Sequence, residues 1–341
     1  MMKLLKQLLS IYLFIAVKTA TDNDFNNNYN TYTKIRHHSN RGIIDTMRYD
    51  VQLIPLINVE DFYDRNIYGR FVSYINDQLE KNFIYYGEST IFFKVKIKTN
   101  RIRLNALNME IEEDATQVIF SSDGINDIIY TPRMQLRDIE SETIILYFTD
   151  NFVPSYSYRL IIKFVSIITN NTAGFFQMSY INEKGGNVNM IAVIDLRVPG
   201  AHLAFPCWDQ SDFKTNFTIS IKFNENYTAL SNIPNVEKIT DDDDIVFTYF
   251  NSTDNTSPYI IAFILSDLER VSDENFEQRF IDMWCRPNVV EQLEYALNIA
   301  KNISLANLNY DFFDVHSLLD LIVIPDFQDN IMESFRLIFY K

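Results

Sequence analysis

"FTISIKF", Phe217 to Phe223, alternates apolar and polar residues without a break. Successive side chains of an extended chain point to opposite faces, so Phe217, Ile219, Ile221 and Phe223 fall on one side and Thr218, Ser220 and Lys222 on the other. A strand with one apolar face needs a core over that face and neighbours for its backbone. "FKVKIK" (Phe93 to Lys98) repeats the alternation, and the runs "TIILYF", "YRLIIKFVSII", "DIVFTYF" and "YIIAFIL" follow with turn signals at short intervals. Together these runs predict a large antiparallel β-domain. The acid run Asp241 to Asp244 between two of them reads as a solvated hairpin turn, because it lacks the ligand spacing of a calcium loop.

The texture changes after Pro287. Asn288 and Glu291 have capping-box spacing, and Val289, Leu293, Ala296, Leu297 and Ala300 recur at helical intervals, which predicts one amphipathic helix ending near Asn307. An apolar strand, Leu319 to Ile324, comes next. At the other end, Lys3 and Lys6 precede an apolar run from Leu8 to Val17 and the small residues Thr19 and Ala20, which reads as a signal peptide over 1–20. Residues 21–42 are polar, Asn-rich and without apolar periodicity, so they are expected as a flexible leader. The expected division is therefore a β-domain over 43–273 and the beginning of an α/β domain over 274–341.

With 45 acidic against 30 basic residues the net charge is −15, and no basic stripe occurs, so nucleic acid is excluded as an expected partner. No apolar run approaches the roughly 20 residues a spanning helix needs. Secretion is the expectation, and N-x-S/T sequons at Asn170, Asn216, Asn226, Asn251, Asn255 and Asn302 are candidate glycosylation sites. Two cysteines, Cys207 and Cys285, are too few for a disulfide scaffold; they form one bridge or, as expected here, two buried thiols. His37 and His38 are adjacent without a second ligand pair nearby, so no zinc site is expected there.

Four stretches resemble the zinc aminopeptidases of the aminopeptidase N type: "GFFQMSY" (Gly174 to Tyr180), "AFPCWDQSDFKTNFTISI" (Ala204 to Ile221) running on to "ALSNIP" (Ala229 to Pro234), "YIIAFILSDLE" (Tyr259 to Glu269) and "IVIPDFQDNIMES". The resemblance implies a saddle-shaped antiparallel β-domain followed by the truncated start of a thermolysin-like catalytic domain. It also implies a role for the last stretch. In the family that strand and turn carry the exopeptidase motif Gly-Ala-Met-Glu-Asn, whose backbone pairs with the substrate as an added strand and whose glutamate holds the free α-amino group. Here the motif reads Asn330-Ile331-Met332-Glu333-Ser334, so Glu333, Met332 and Ile331 are the implied substrate-binding residues.

Several positions depart from the family pattern. Asn330-Ile331 stands for Gly-Ala, Gln210-Ser211 for Glu-Pro, His202 for an arginine, and Arg197 for the Glu or Gln that helps hold the amine. Hydrolysis at zinc needs the H-E-x-x-H arrangement, whereas the histidines here are His37, His38, His202 and His316, none four residues from another. No catalytic residue, metal ligand or cofactor is therefore expected in this chain, although zinc is expected for an intact family member. The leading expectation is a secreted family protein, inactive as it stands. One alternative is a fragment of an active zinc metalloaminopeptidase acting on peptide N-termini, held at a membrane surface if a missing C-terminal part carries an anchor. Another is a non-catalytic secreted module binding peptide or glycan. The apolar faces of 288–341 and an exposed edge at Leu319 to Ile324 are expected to lack partners and to invite self-association.

Overall fold

The computed structural model describes residues 42–56, 83–121, 127–169, 174–181, 187–195, 200–210, 213–241, 244–258, 261–271, 281–307, 319–324, 331–334 and 336–340. The signal-peptide and leader readings, Asn170, Arg197, Asn330, His37, His38 and His316 lie outside the described residues.

The alternation read from "FTISIKF" is realised in the strand Asn216–Asn224, where Phe217, Ile219, Ile221 and Phe223 are all buried. This strand lies inside a nine-stranded sheet. From one edge the order is Asn235–Thr240, Ile245–Phe250, Asn216–Asn224, Ile44–Leu56, Phe83–Val95, Ser157–Ile168, Gln117–Ser121 and Asp127–Tyr130, with Met109–Ile111 also pairing to Ser157–Ile168. All pairs are antiparallel except one: Ile44–Leu56 runs parallel to Asn216–Asn224, with Tyr49 beside Phe217 and Leu53 beside Ile221. Sequence-adjacent strands turn back on each other through hairpins, but these two are separated by most of the β-domain, which removes that constraint.

A three-stranded sheet, Thr99–Asn105, Thr143–Phe152 and Met134–Asp138, closes over the apolar face of the large one. Ile102, Leu104, Leu146 and Phe148 from the small sheet share one core with Tyr49, Phe93, Phe164 and Phe217 from the large sheet. Aromatic rings set the geometry there. Tyr49 stacks on Phe217 at 4.8 Å between centroids, and Trp208 meets both Tyr49 and Phe93 edge-on. Gly87 is required by close approach, since a Cβ at that position would lie 2.2 Å from the Phe164 ring.

Two further sheets continue the chain. Gly174–Ile181, Asn187–Asp195, Phe263–Ser266 and Thr228–Ser231 make a four-stranded sheet in that order. Glu269–Val271, Ile281–Cys285, Leu319–Val323, Leu337–Tyr340 and Ile331–Ser334 make a mixed five-stranded sheet, with Leu319–Val323 parallel to both of its neighbours. The connection from Ile281–Cys285 to Leu319–Val323 carries the helix Val290–Asn307, as a parallel crossover requires. Leu293, Ala296, Leu297 and Ala300 are buried as their spacing predicts. The helix is entered through a 3-10 turn, Pro287–Val289, whose Arg286 cap position makes no side-chain cap, so Asn288 lies within that turn rather than ahead of it.

The expectation that this segment's apolar faces lack partners is corrected by the packing. Leu321, Ile338 and Tyr340 pack under the helix with Val271, Ile281 and Met283. Ile322, Ile324, Leu337 and Phe339 pack on the opposite face against Phe176, Ala262, Ile264 and Leu268. Leu319–Val323 is also paired on both sides, so the expected exposed edge is not there; it falls at Ile331–Ser334. A helix on one face of a sheet and a second sheet on the other bury both faces of the strand inside it, which sequence periodicity does not reveal. Both cysteines are free and buried.

Phe339, fully buried between the four- and five-stranded sheets, tests this packing. Phe339→Ala is expected to lower the unfolding free energy by about 3–5 kcal/mol in denaturant titration, against about 0.5 kcal/mol or less for the exposed Tyr295→Ala. A loss under about 1 kcal/mol for Phe339→Ala would show that the five-stranded sheet is not packed on the rest.

Candidate functional site

The strand Ile331–Ser334 is the outermost of its sheet and pairs on one side with Leu337–Tyr340. Ser334 is directly opposite Leu337 in that pairing. On the other side no strand is present among the described residues, and the strand's outer backbone row lies there. Such a row can accept an extended peptide as one more strand. Of the implied substrate-binding residues, Ile331 packs beside the helix-side cluster and Glu333 is exposed, while Met332 pairs with Phe339 in the ladder.

Glu333 is opposite Ile338, and directly paired residues share a face, so its carboxylate leaves the sheet on the side that carries the helix. The helix lies over Glu269–Val271 and Ile281–Cys285, the far end of the sheet from Glu333. On the same side, Tyr340 is held neutral: burial pushes its hydroxyl well above the usual tyrosine range, and the negative charge of Glu333 adds to this.

Two buried acids on the opposite face went unnoticed in the sequence. Asp282 and Asp320 are register partners on adjacent parallel strands. Arg270 donates to Asp282 Oδ2, and Trp284 Nε1 donates to Asp320 Oδ1 at 2.7 Å. Burial raises Asp320 to about 6; the Trp284 hydrogen bond acts against this and the Asp282 charge adds to it. The available signal was an acid at the second position of each apolar run, "LDLIV" and "IDMWC".

His202, in the 3-10 turn Ala201–Leu203, is also buried. Its Nδ1 lies 2.6 Å from Asp209 Oδ2, and its Nε2 lies 3.0 Å from Glu142 Oε2. Asp209 Oδ2 also accepts the backbone N–H groups of Gly200 and His202. A carboxylate only accepts, so two such contacts require both ring nitrogens to donate, which is the imidazolium form. Burial on its own would lower the His202 pKa, but the hydrogen bonds and charges of Asp209 and Glu142 outweigh it and raise the value. With both nitrogens engaged, His202 has no lone pair for a metal. Among the described residues no group of three metal-ligating side chains converges, so they do not fit a zinc centre. The sequon asparagines Asn216, Asn226, Asn251, Asn255 and Asn302 are all exposed.

Comparison with known proteins identifies the family. The Peptidase M1 N-terminal domain matches residues 46–260, the run from the first strand of the nine-stranded sheet to just beyond Ile245–Phe250. The chain belongs to the peptidase M1 family. It is 28% identical to Aminopeptidase 2 of Candida albicans over 261 residues, covering 76% of this chain and 27% of that protein. It is 29% identical to Endoplasmic reticulum aminopeptidase 2 of Bos taurus over 292 residues, covering 84% and 29%. With Aminopeptidase N of Mus musculus the identity is 26% over 285 residues, covering 79% and 28%. The chain thus spans less than a third of the length of each of these M1 relatives.

The two raised groups make stability depend on pH in the same direction. Asp320 binds its proton more tightly folded than unfolded, so its contribution is fully present below about 3.8 and is lost as pH rises through about 6. The His202 contribution is fully present below the ordinary value of 6.5 and is lost as pH rises through the raised folded value. Relative to the parent, Asp320→Asn is expected to gain up to about 3 kcal/mol of unfolding free energy between pH 4 and pH 7. His202→Gln should differ from the parent most below pH 6.5 and converge with it at higher pH. Denaturant titrations across pH 4–9 read both; pH-independent differences would contradict the assignment.

Proposed function

We propose that this chain engages peptide N-termini along the open edge Ile331–Ser334, with Glu333 receiving the α-ammonium group, and does not itself hydrolyse them. The observation that carries the proposal is an exposed glutamate on the outermost strand of its sheet, beside which no further strand stands among the described residues. A peptide pairing there as an added strand gains backbone hydrogen bonds, and one carboxylate at the strand gives preference for a free amine. M1 membership supports this, because the relatives are named as aminopeptidases. The Asn330-Ile331 pair puts a larger side chain where the family pattern has Gly-Ala, which narrows the approach of a peptide backbone.

The non-catalytic part of the proposal is supported by residues 1–341 containing no H-E-x-x-H. We assign 43–273 to the β-domain and 274–341 to the start of the catalytic domain, with Glu269–Val271 as the strand that ties one to the other. The proposed setting is the secretory pathway, with residues 1–20 as signal peptide and N-linked glycans on exposed sequons. With both faces of Leu319–Val323 covered, any self-association through the C-terminal segment would run through Ile331–Ser334, the same edge that takes peptide. A second reading rests on length: the relatives extend far beyond the matched region, and in a longer protein the same edge would serve a zinc-dependent aminopeptidase.

Titration calorimetry with a short peptide, its N-acetylated form and the Glu333→Gln variant tests the site. Acetylation or the substitution is expected to weaken binding at least tenfold, about 1.4 kcal/mol. Equal affinity in all three cases would remove Glu333 from the site. The dialysed chain is further expected to keep no stoichiometric zinc and to leave amino-acid anilides intact. Zinc near about one equivalent, with turnover lost on chelation, would overturn the non-catalytic reading.

A further inference from the structure

Among the described residues the nine-stranded sheet ends on two unpaired edges, and both expose apolar side chains. At one end the strand Asn235–Thr240 is exposed at all six residues, with Val236 at 68% and Ile239 at 45%. At the other end Asp127–Tyr130 exposes Ile128 and Ile129. Edge strands of this kind are templates for pairing with another chain. Two different open edges on one sheet are worse than one, because edge A of one copy can meet edge B of the next in a head-to-tail contact that never closes. Covering either edge stops that growth.

Asn251 is the sequon asparagine placed to do so. Its backbone N–H donates to Pro234 O at 2.8 Å, which fixes it beside the first residue of the edge strand, just past the end of the neighbouring strand Ile245–Phe250. Its side chain is exposed. Oδ1 accepts the Ser252 N–H at 2.8 Å, and Nδ2 makes no hydrogen bond among the described residues. By contrast, the Nδ2 of Asn226 is committed to Asn224 Oδ1 at 2.7 Å. The edge strand is about 20 Å long, a span that a branched, hydrated oligosaccharide rooted at one end can sweep.

We propose that Asn251 carries an N-linked glycan that covers the open strand Asn235–Thr240 and keeps copies of this chain from pairing edge to edge. The modification joins Asn251 Nδ2 to C1 of the first N-acetylglucosamine of a lipid pyrophosphate-linked oligosaccharide. The C1–N bond forms, the C1–O bond to the lipid pyrophosphate breaks, and the amide nitrogen gives up one proton. The inference rests on the secretory reading given above.

The test uses the full chain secreted from eukaryotic cells, with glycopeptide mass spectrometry for occupancy and light scattering on a sizing column for mass. Asn251 is expected to be occupied and the protein monomeric. Asn251→Gln, or trimming of the folded protein with an endoglycosidase, is expected at least to double the apparent mass at the same loading. Adding Val236→Lys is expected to restore the monomer without restoring the glycan, since a charge on the edge blocks pairing. The trimmed parent gives the readout even where Asn251→Gln folds poorly. Asn251 bare while other sequons are occupied, or a trimmed protein that stays monomeric, overturns the inference. No sequon occupied at all overturns the secretory reading and this inference with it.

Discussion

A single carboxylate holds the crossing point of the β-domain. Asp209 is buried and collects two backbone N–H groups and the His202 ring on one oxygen. A buried charge is tolerated only where donors surround it, and removing its partner from such a pair costs about 3–5 kcal/mol. Around this point the segment 200–210 is tied to its surroundings by polar contacts inside an otherwise apolar core. Asn105 and Cys207 exchange backbone hydrogen bonds, Trp208 Nε1 donates to Arg103 O, the Trp208 N–H donates to the Tyr49 hydroxyl, and the Tyr85 hydroxyl donates to Ala204 O. The large sheet, the small sheet and the return of the chain toward Asn216–Asn224 are thereby fixed relative to one another. With its ring held between Asp209 and Glu142, His202 makes this junction sensitive to protons.

Open ladders are the second theme of the molecule. Each outermost strand turns a row of backbone donors and acceptors away from its sheet, and what stands beside that row determines its consequence. At Ile331–Ser334 an exposed acid, Glu333, stands on the outermost strand, opposite the buried Ile338. At Asn235–Thr240 no charge of one sign dominates, apolar side chains are exposed, and a sequon stands at the start of the strand. Recognition and aggregation are thus the same hydrogen-bonding physics under different side chains.

Sequence alone settled whatever is local. The two-residue period of Phe217 to Phe223 placed four side chains in the core, and the helical period placed Leu293, Ala296, Leu297 and Ala300 under the sheet, because each pattern reports which face of one element is apolar. The motif order gave the family and pointed to Glu333. Only the tertiary structure decided how elements distant in the chain meet. It paired Ile44–Leu56 in parallel with Asn216–Asn224, covered both faces of Leu319–Val323, brought Glu142 to His202 across sixty residues, and set Asp282 beside Asp320. None of these has a local signature, since a strand's own pattern is the same whichever neighbour it finds, and an acid within an apolar run reads alike whether it faces water or a hydrogen-bonding partner from another strand.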